Sequence, residues 1–229
     1  MTKLRAVSPA HRDHIAAAYE NSRPEVRRHV PPGVRRVLDL GCSSGALGAA
    51  LKREHSCEVV GVETDPEYAQ AARTRLDAVH EIDLEQLATD DSRISALGDF
   101  DCLIAADVLE HLREPHQVLE RLGTRVRSGG VAIVSLPNVR FWETFWQLGR
   151  HGDWPRRSEG IFDRTHLRWF TVGRGVELVT EGGFRVAEID RIYRMRPQIS
   201  RWDTTARRLG RTPLRPFLTF QFIVVGRRP

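Results

Sequence analysis

The chain has 229 residues, of which 41% are apolar and 28% are charged, proportions typical of a globular protein rather than a disordered or fibrous one. No stretch approaches the roughly 18 consecutive apolar residues of a membrane span, and the N-terminal sequence lacks the apolar core of a secretory signal. We therefore expect a cytoplasmic protein with a single α/β domain over residues 1–229.

The charge is distributed unevenly. Residues 150–229 carry 17 basic and 8 acidic side chains, whereas the preceding residues carry more acidic than basic ones. A basic C-terminal third is compatible with nucleic acid, anionic lipid or an acidic small substrate. Since the chain has 33 arginines but only 2 lysines, a solvated arginine-rich surface is the favoured interpretation, followed by an anionic substrate. Cys42, Cys57 and Cys102 lack metal-ligand spacing and predict buried, reduced thiols.

Apolar runs alternate with helical patterns, as in a parallel sheet with crossover helices. Residues 1–33 predict a helical N-terminal cap. In chain order, strands are predicted at 36–40, 58–62, 79–82, 100–105, 131–135, 184–193 and 217–226. Helices are predicted at 46–54, 66–76, 115–127 and 172–181, with a weaker helical pattern between the third and fourth strands. Residues 137–170 interrupt the alternation and hold four of the five tryptophans, which predicts a substrate-side insert or lid.

The turn after the first predicted strand has the features of a nucleotide-type ligand site. Gly41 and Gly45 permit positive φ and a close approach of the backbone to a ligand. Glu63 ends the second strand, where a carboxylate can hold both hydroxyls of a ribose. A dinucleotide-binding turn has a glycine where this chain has Ser43, so a nicotinamide oxidoreductase is disfavoured. Asp39 suits a ligand ammonium better than an anionic pyrophosphate.

Five motifs follow one another over roughly 37–140. They are V-L-D-L-G-C-x-x-G, V-V-G-V-E, Asp83-Leu84, F-D-x-L-I-A-A-D-V-L-E-H-L and S-G-G-V-A-I-V-S-L-P-N. This ordered set resembles that of the class I S-adenosylmethionine (SAM) dependent methyltransferases. The resemblance implies a doubly wound, Rossmann-like sheet of seven strands with the last strand antiparallel, and SAM lying across the ends of the first two strands. It implies a cofactor-binding set of Asp39, Gly41, Cys42, Ser43, Gly45, Glu63, Thr64, Asp83, Leu84, Ala106 and Asp107.

Potential metal ligands follow the fourth predicted strand. The spacing of Asp107, Glu110 and His111 places them on one face of a helix start, and His166 is a potential fourth ligand. The set is similar to the E-x-x-E-H with a distant His of metal-dependent RNA 2′-O- and quinone-type O-methyltransferases, but Asp107 replaces the first Glu and reaches less far. The alternative is a metal-free helix start that lines the pocket, and a bound metal is not favoured.

The segment 160–171 interleaves charged and aromatic side chains, which indicates an active-site wall. Its D-R-T-H-L-R-x-F-T box resembles that of a methyltransferase subgroup associated with sugar and polysaccharide modification. His166 is the candidate general base, oriented by Asp163, and His111 is a third candidate catalytic residue. A buried structural network around His166 is the alternative. Candidate acceptor-binding residues are Arg164, Arg168, Trp142 and Asn138.

Methyl transfer from a sulfonium is an in-line displacement, so the protein mainly positions and desolvates the acceptor. The sequence predicts SAM-dependent O-methylation of a hydroxyl on a sugar or glycosylated small metabolite, and an anionic acceptor is compatible with the basic C-terminal third. A quinone, phenol, amine or RNA end remains an alternative acceptor, and a non-catalytic SAM-binding protein is an alternative of another class. The basic C-terminal third contains no recognised RNA-binding module, so nucleic acid is disfavoured as a partner. The tryptophans leave a homodimer contact open.

Overall fold

The computed structural model describes residues 20–196 and 198–229, and its strands form one seven-stranded sheet. The strands are β1 (Arg36–Leu40), β2 (Glu58–Glu63), β3 (Ala78–Glu81), β4 (Phe100–Ala106), β5 (Val126–Pro137), β6 (Arg185–Tyr193) and β7 (Thr219–Arg227). Their order in the sheet is β3-β2-β1-β4-β5-β7-β6. Strands β1 to β5 pair in parallel, whereas β7 is antiparallel to both β5 and β6. The predicted sheet with an antiparallel last strand is confirmed.

Helices flank the sheet on both faces. They are α1 (Pro24–Arg27), α2 (Ala46–His55), α3 (Pro66–Arg73), α4 (Asp91–Leu97), α5 (Pro115–Gly123), α6 (Trp142–Trp146), α7 (Val172–Glu181), α8 (Asp203–Leu209) and α9 (Arg215–Leu218). Short 3-10 turns lie at Leu84–Ala88, Leu109–His111 and Gly160–Phe162, and a π-helical turn lies at Gln147–His151. Prolines at the first positions of α1, α3 and α5 favour these starts because their φ is already helical. Among the described residues, no helix combines the length and the apolar character needed to cross a membrane.

Consecutive residues of the central strands enter two different cores. Leu38 and Leu103 belong to the core that includes residues of α4, α5 and α7. Val37 and Ile104 belong to the core that includes residues of α1, α2 and α3. Since both faces of the sheet are covered, its central strands are continuous apolar runs. The three cysteines are buried and unpaired, which confirms the prediction of buried thiols.

The prediction of a helix over 115–127 is wrong at its C-terminal end. Helix α5 already ends at Gly123, where an added Cβ would lie 2.2 Å from the carbonyl oxygen of Gly182. Strand β5 begins at Val126 and pairs with Phe100, and its register against β4 is irregular before Cys102. The Ser-Gly-Gly sequence at 128–130 therefore lies within a strand and does not end a helix.

The remaining differences from the sequence prediction concern short elements. Helices α8 and α9 were not predicted, because each is short and buries a single side chain, Ala206 in α8 and Leu218 in α9. The predicted insert at 137–170 contains α6, and a parallel β-bridge between Asn138 and Phe170 joins its two ends. Of the predicted N-terminal cap, α1 is described, whereas residues 1–19 lie outside the described residues.

Candidate active site

The turn after β1 is built from residues with left-handed backbone conformations. Gly41, Ser43 and Gly45 have φ values of 64°, 50° and 80°. A Cβ at Gly45 would lie 3.2 Å from the Cα of Ala72, so the start of α2 packs directly on α3. Glycine is favoured at such positions because it has no side chain to strain or to clash. The predicted glycine-rich turn is thus present at the carboxyl edge of the sheet.

The Glu63 carboxylate joins the ends of β1 and β2. It accepts hydrogen bonds from the backbone N–H groups of Ser43 at 2.8 Å, Thr64 at 2.8 Å and Asp65 at 2.9 Å. These bonds fix the carboxylate beside the glycine turn, where the sequence placed an acceptor for ribose hydroxyls. The predicted turn and the predicted acid are therefore in contact.

Asp39 is a buried acid below this turn, with only 2% of its surface exposed. Its Oδ2 and the Ser43 hydroxyl are buried and have no hydrogen-bond partner among the described residues. Burial raises the pKa of Asp39 to about 7, Arg23 opposes this shift, and Glu63 adds to it. A buried carboxylate oxygen without a partner is unfavourable, so a ligand ammonium would satisfy it. The donors and acceptors present here fit the amino-acid end of SAM.

The predicted adenine-side residues lie next to the end of β2. Thr64 donates its hydroxyl to the carbonyl oxygen of Ile82 at 3.1 Å, which ties β2 to the segment after β3. Asp83 accepts from the backbone N–H of Glu85 at 3.0 Å and starts the 3-10 turn that contains the buried Leu84. Asp83 and Leu84 are therefore held at the same edge of the sheet as Glu63.

Asp107, directly after Ala106 at the end of β4, lies in a polar network that the sequence did not reveal. Its Oδ2 pairs with Arg23 Nη1 at 2.8 Å, and its Oδ1 accepts from Ser135 Oγ at 2.9 Å and Gln221 Nε2 at 2.5 Å. Although burial acts to raise the pKa of Asp107, Arg23 and these hydrogen bonds hold it below the usual value. Gln221 and Ser135 could have been noticed as polar residues within apolar strands, whereas nothing in the spacing marks Arg23.

Two other predicted residues, Glu110 and His166, are brought together by the backbone of the insert. The N–H groups of Leu167 and Arg168 donate to the backbone carbonyl oxygen of Glu110 at 2.8 and 3.0 Å. His166 Nε2 then lies 3.9 Å from Glu110 Oε1, and the rings of His111 and His166 meet edge to face at 4.7 Å. Glu110 is 1% exposed and His166 is 9% exposed. Three of the predicted residues thus form one cluster, in which Glu110 and His166 are buried and His111 is half-buried.

The electrostatics of this cluster favour the neutral forms of Glu110 and His166. Burial and the nearby Asp107 raise the pKa of Glu110 well above its usual value. Burial and His111 lower the pKa of His166, and Asp163 opposes this shift. Glu110 Oε2 and His166 Nδ1 are buried without a hydrogen-bond partner among the described residues. One ligand atom from each of Glu110, His111 and His166 lies within 4.8 Å of the others, so this set can also hold a cation. Asp107, the remaining predicted ligand, is not in the set.

Asp163 does not bind the His166 ring as predicted. Its Oδ1 accepts from the backbone N–H of Thr165 at 2.8 Å and from the Thr165 hydroxyl at 2.6 Å. That hydroxyl lies 3.0 Å from His111 Nδ1. Asp163 therefore acts on the cluster by orienting Thr165 toward His111, and its effect on His166 is that of a nearby charge.

The two predicted acceptor-binding arginines differ in their surroundings. Arg168 donates from Nε to the carbonyl oxygen of Arg113 at 2.9 Å and lies 3.6 Å from a Glu114 oxygen, so it ties the insert to the loop after β4. Arg164 is exposed, and its backbone N–H donates to Arg157. Of the pair, Arg164 has the side chain that is available to an acceptor.

Trp142 and Asn138 also have intramolecular partners. Trp142 Nε1 donates to the carbonyl oxygen of Met195 at 3.1 Å, which packs α6 against the segment after β6. Asn138 is 1% exposed and donates to the carbonyl oxygens of Pro216 at 2.9 Å and Thr219 at 2.7 Å. These two side chains position the insert and α9, and their contact with an acceptor stays a prediction.

Comparison with known protein families identifies the family to which the chain belongs. The family described as methionine biosynthesis protein MetW matches residues 21–210. Among curated proteins, the chain is 28% identical over 136 residues to the ubiquinone biosynthesis O-methyltransferase of Xanthomonas campestris pv. campestris (strain B100), covering 59% of this chain and 52% of that protein. It is 30% identical over 162 residues to the magnesium-protoporphyrin O-methyltransferase of Rhodobacter capsulatus, covering 69% and 66%. The chain thus spans about half the length of the first of these relatives.

Solved structures confirm the fold. The methyltransferase in complex with the Trm112 methyltransferase activator from Haloferax volcanii aligns with a TM-score of 0.65 at 19% identity, covering 96% of this chain and 95% of that chain. Magnesium protoporphyrin IX methyltransferase from Synechocystis PCC 6803, solved with bound SAH, aligns with a TM-score of 0.58 at 15% identity, covering 99% and 90%. Taken with the cofactor-type turn and the sheet order, these matches show that the chain belongs to the MetW family, within the class I SAM-dependent methyltransferases.

Proposed function

We propose that the protein binds SAM across the ends of β1 and β2 and transfers its methyl group to an oxygen of a small acceptor. SAM, when bound, supplies an electrophilic methyl carbon attached to a sulfonium. The unpartnered Asp39 Oδ2 and Ser43 Oγ would hold the amino-acid end of the cofactor. Glu63, which the backbone N–H groups hold beside the turn, would accept hydrogen bonds from the ribose hydroxyls, and Asp83 and Leu84 would lie beside the adenine.

The observation that carries the transfer step is the buried pair of His166 and Glu110. Because the pKa of His166 is lowered, its imidazole is neutral at physiological pH and can accept a proton from an acceptor hydroxyl. Glu110 Oε1 lies 3.9 Å from Nε2, and Nδ1 has no hydrogen-bond partner among the described residues, so the ring keeps a nitrogen for the incoming proton. The mostly buried ring excludes water from the group that takes the proton.

The acceptor that we favour is a hydroxyl attached to an aromatic ring. The two curated relatives are both O-methyltransferases, one of ubiquinone biosynthesis and one of magnesium-protoporphyrin. Trp154 packs edge to face on Phe162 at 4.9 Å and on Trp169 at 5.5 Å, so the insert carries an aromatic cluster, and the exposed Trp169 could stack on a planar acceptor. The ubiquinone-biosynthesis relative and these aromatic side chains support a phenolic hydroxyl as the acceptor, whereas the sugar hydroxyl predicted from the D-R-T-H-L-R-x-F-T box stays a prediction.

A second candidate role for the same cluster is cation binding. Glu110, His111 and His166 supply a carboxylate oxygen and two imidazole nitrogens within 4.8 Å of one another, a donor set that suits a divalent transition metal. These residues would then orient the acceptor and lower the pKa of its hydroxyl through the cation, with no need for His166 as a base.

The proposal is tested by titrating the protein with S-adenosylhomocysteine (SAH) in a calorimeter and by following SAM consumption with dihydroxybenzoate as a phenolic probe. We expect His166→Ala to reduce turnover by about 100-fold or more while SAH affinity changes less than about twofold. His116→Ala is the matched control, because His116 is exposed and pairs only with Glu181 among the described residues. Wild-type turnover in His166→Ala would remove the proposed base, and absence of SAH binding would overturn the cofactor assignment.

A further inference from the structure

A cleft of about 660 Å³ lies beyond the candidate active site, and four arginines line it: Arg140, Arg191, Arg211 and Arg215. The strand pairing places it at the carboxyl edge of the sheet, where β5 and β6 end and β7 begins. None of the lining residues is acidic. No carboxylate among the described residues pairs with any of the four guanidinium groups, although many other arginines of this chain do form ion pairs.

The cleft is built by buried contacts and is not a chance gap between surface side chains. Asn138 holds its floor, because the buried amide donates to the carbonyl oxygens of Pro216 and Thr219 and fixes α9 against the end of β5. The Arg140 guanidinium lies over the Phe217 ring at 5.6 Å, which restricts its position. Arg191 is half-buried at the end of β6. Arg191 is thus presented on a strand and Arg215 on a helix, whereas Arg140 and Arg211 lie in the segments that connect such elements.

Helix α7 adds backbone donors to these charges. Thr171, Val172 and Gly173 line the cleft at the N-terminus of this ten-residue helix. The first N–H groups of a helix have no carbonyl partner within it and favour anions. Guanidinium groups together with such N–H groups form the donor set that phosphate oxygens prefer.

We infer that this cleft binds a phosphoryl or diphosphate group. The four guanidinium groups, which have no carboxylate partner among the described residues, repel one another unless an anion lies among them, and a cleft of this volume admits more than a single monovalent ion. Thr171 ends the segment 160–171 that carries His166, so the cleft and the proposed acceptor site share this segment of the chain. The diphosphate is either free or borne by a larger molecule. The inference does not depend on the cofactor or on the transfer reaction.

The test is calorimetric titration of the full chain with sodium pyrophosphate at constant ionic strength, with sulfate and then a nucleoside diphosphate as comparison ligands. We expect pyrophosphate to bind more tightly than sulfate, and Arg191→Gln/Arg215→Gln to weaken its binding by about tenfold or more. Arg207→Gln/Arg208→Gln removes the same charge from exposed positions of α8 that do not line the cleft, and is expected to change affinity by less than about twofold. Tighter binding of the nucleoside diphosphate identifies a larger phosphorylated molecule, and equal binding identifies free diphosphate.

Failure to bind pyrophosphate, or an equal loss in both double variants, would overturn the inference, since equal loss indicates diffuse attraction by a basic surface. Should the Arg191→Gln/Arg215→Gln protein not fold, as judged by circular dichroism, Arg140→Gln/Arg211→Gln removes two charges from the same cleft. SAH titration of each variant separates the two proposals, because loss of pyrophosphate binding with intact SAH binding concerns the cleft alone.

Discussion

Arg23 Nη1 lies 2.8 Å from Asp107 Oδ2, and this ion pair joins the segment before the first strand to the end of β4. The Arg23 side chain is only 16% exposed, and its backbone is left-handed with φ of 48°. Arg23 also acts on Asp39, because its positive charge lowers the pKa of this acid and so opposes the rise caused by burial. One arginine thus balances the buried Asp39 and the partly exposed Asp107 on the cofactor side of the sheet.

Replacing Arg23 should destabilise the protein more than its place near the chain start suggests. In Arg23→Ala the Asp107 carboxylate keeps its hydrogen bonds but loses its counter-charge, so we expect the free energy of unfolding to fall by about 1–3 kcal/mol in urea titrations at pH 7. Arg53→Ala is the control, because Arg53 is exposed on α2 and should change stability by less than about 0.5 kcal/mol. Similar losses in the two variants would contradict a specific role for the Arg23–Asp107 pair.

Asp39→Asn should stabilise the ligand-free protein at high pH. With a pKa of about 7 in the folded protein, against 3.8 ordinarily, Asp39 binds its proton more tightly when folded. Its contribution to stability is therefore present below about pH 4 and declines as pH rises to about 7. We expect Asp39→Asn to raise the free energy of unfolding by about 2 kcal/mol or more at pH 8 and by much less at pH 5.

The same variant should bind SAH more weakly, because the amide no longer offers a negative charge to the ligand ammonium. Urea unfolding at pH 5 and 8 and calorimetry at pH 8 measure the two effects. A stability gain that does not depend on pH would show that the ionisation of Asp39 is not its cause.

The left-handed glycines of the chain allow backbone strain to be separated from close packing. Gly33 and Gly45 have almost the same φ, 79° and 80°, but nothing lies within 4 Å of a Cβ at Gly33, whereas Ala72 would meet one at Gly45. We expect Gly33→Ala to cost about 1 kcal/mol from conformation alone, and Gly45→Ala to cost at least about 1 kcal/mol more. Gly45→Ala should also weaken SAH binding. Equal costs would mean that α2 can shift away from α3 without loss.

The cofactor half of the site was predictable because its residues are local in sequence. The glycine turn, Glu63 and Asp83 each follow a predicted strand directly, and the structure keeps them together at one edge of the sheet. The catalytic half was predicted only as a set of candidates. His166 meets Glu110 because backbone N–H groups after it bind a carbonyl far back in the chain, and no residue spacing encodes that contact.

Side-chain partners were the least predictable feature. Asp107 has the spacing of a metal ligand, yet Arg23, Ser135 and Gln221, from three separate elements, take up its oxygens. Asn138 has the position of an acceptor ligand, yet two carbonyl groups occupy its amide hydrogens. In both cases the competing partner is distant in sequence, so only the folded chain reveals it.

Because Asp107 is held by Arg23, the cluster of Glu110, His111 and His166 is left with three ligands, and the raised pKa of Glu110 opposes the charged form that a cation requires. We therefore expect methyl transfer to survive dialysis against a chelator with less than about a twofold loss of rate. Glu110→Gln, which keeps the shape but cannot supply a carboxylate, should leave the protein folded, and added Zn²⁺ should shift the melting temperatures of the wild type and this variant equally. Loss of activity on chelation with recovery on adding Zn²⁺ or Mg²⁺, together with a Zn²⁺-dependent stabilisation that Glu110→Gln removes, would instead assign the cluster to a metal.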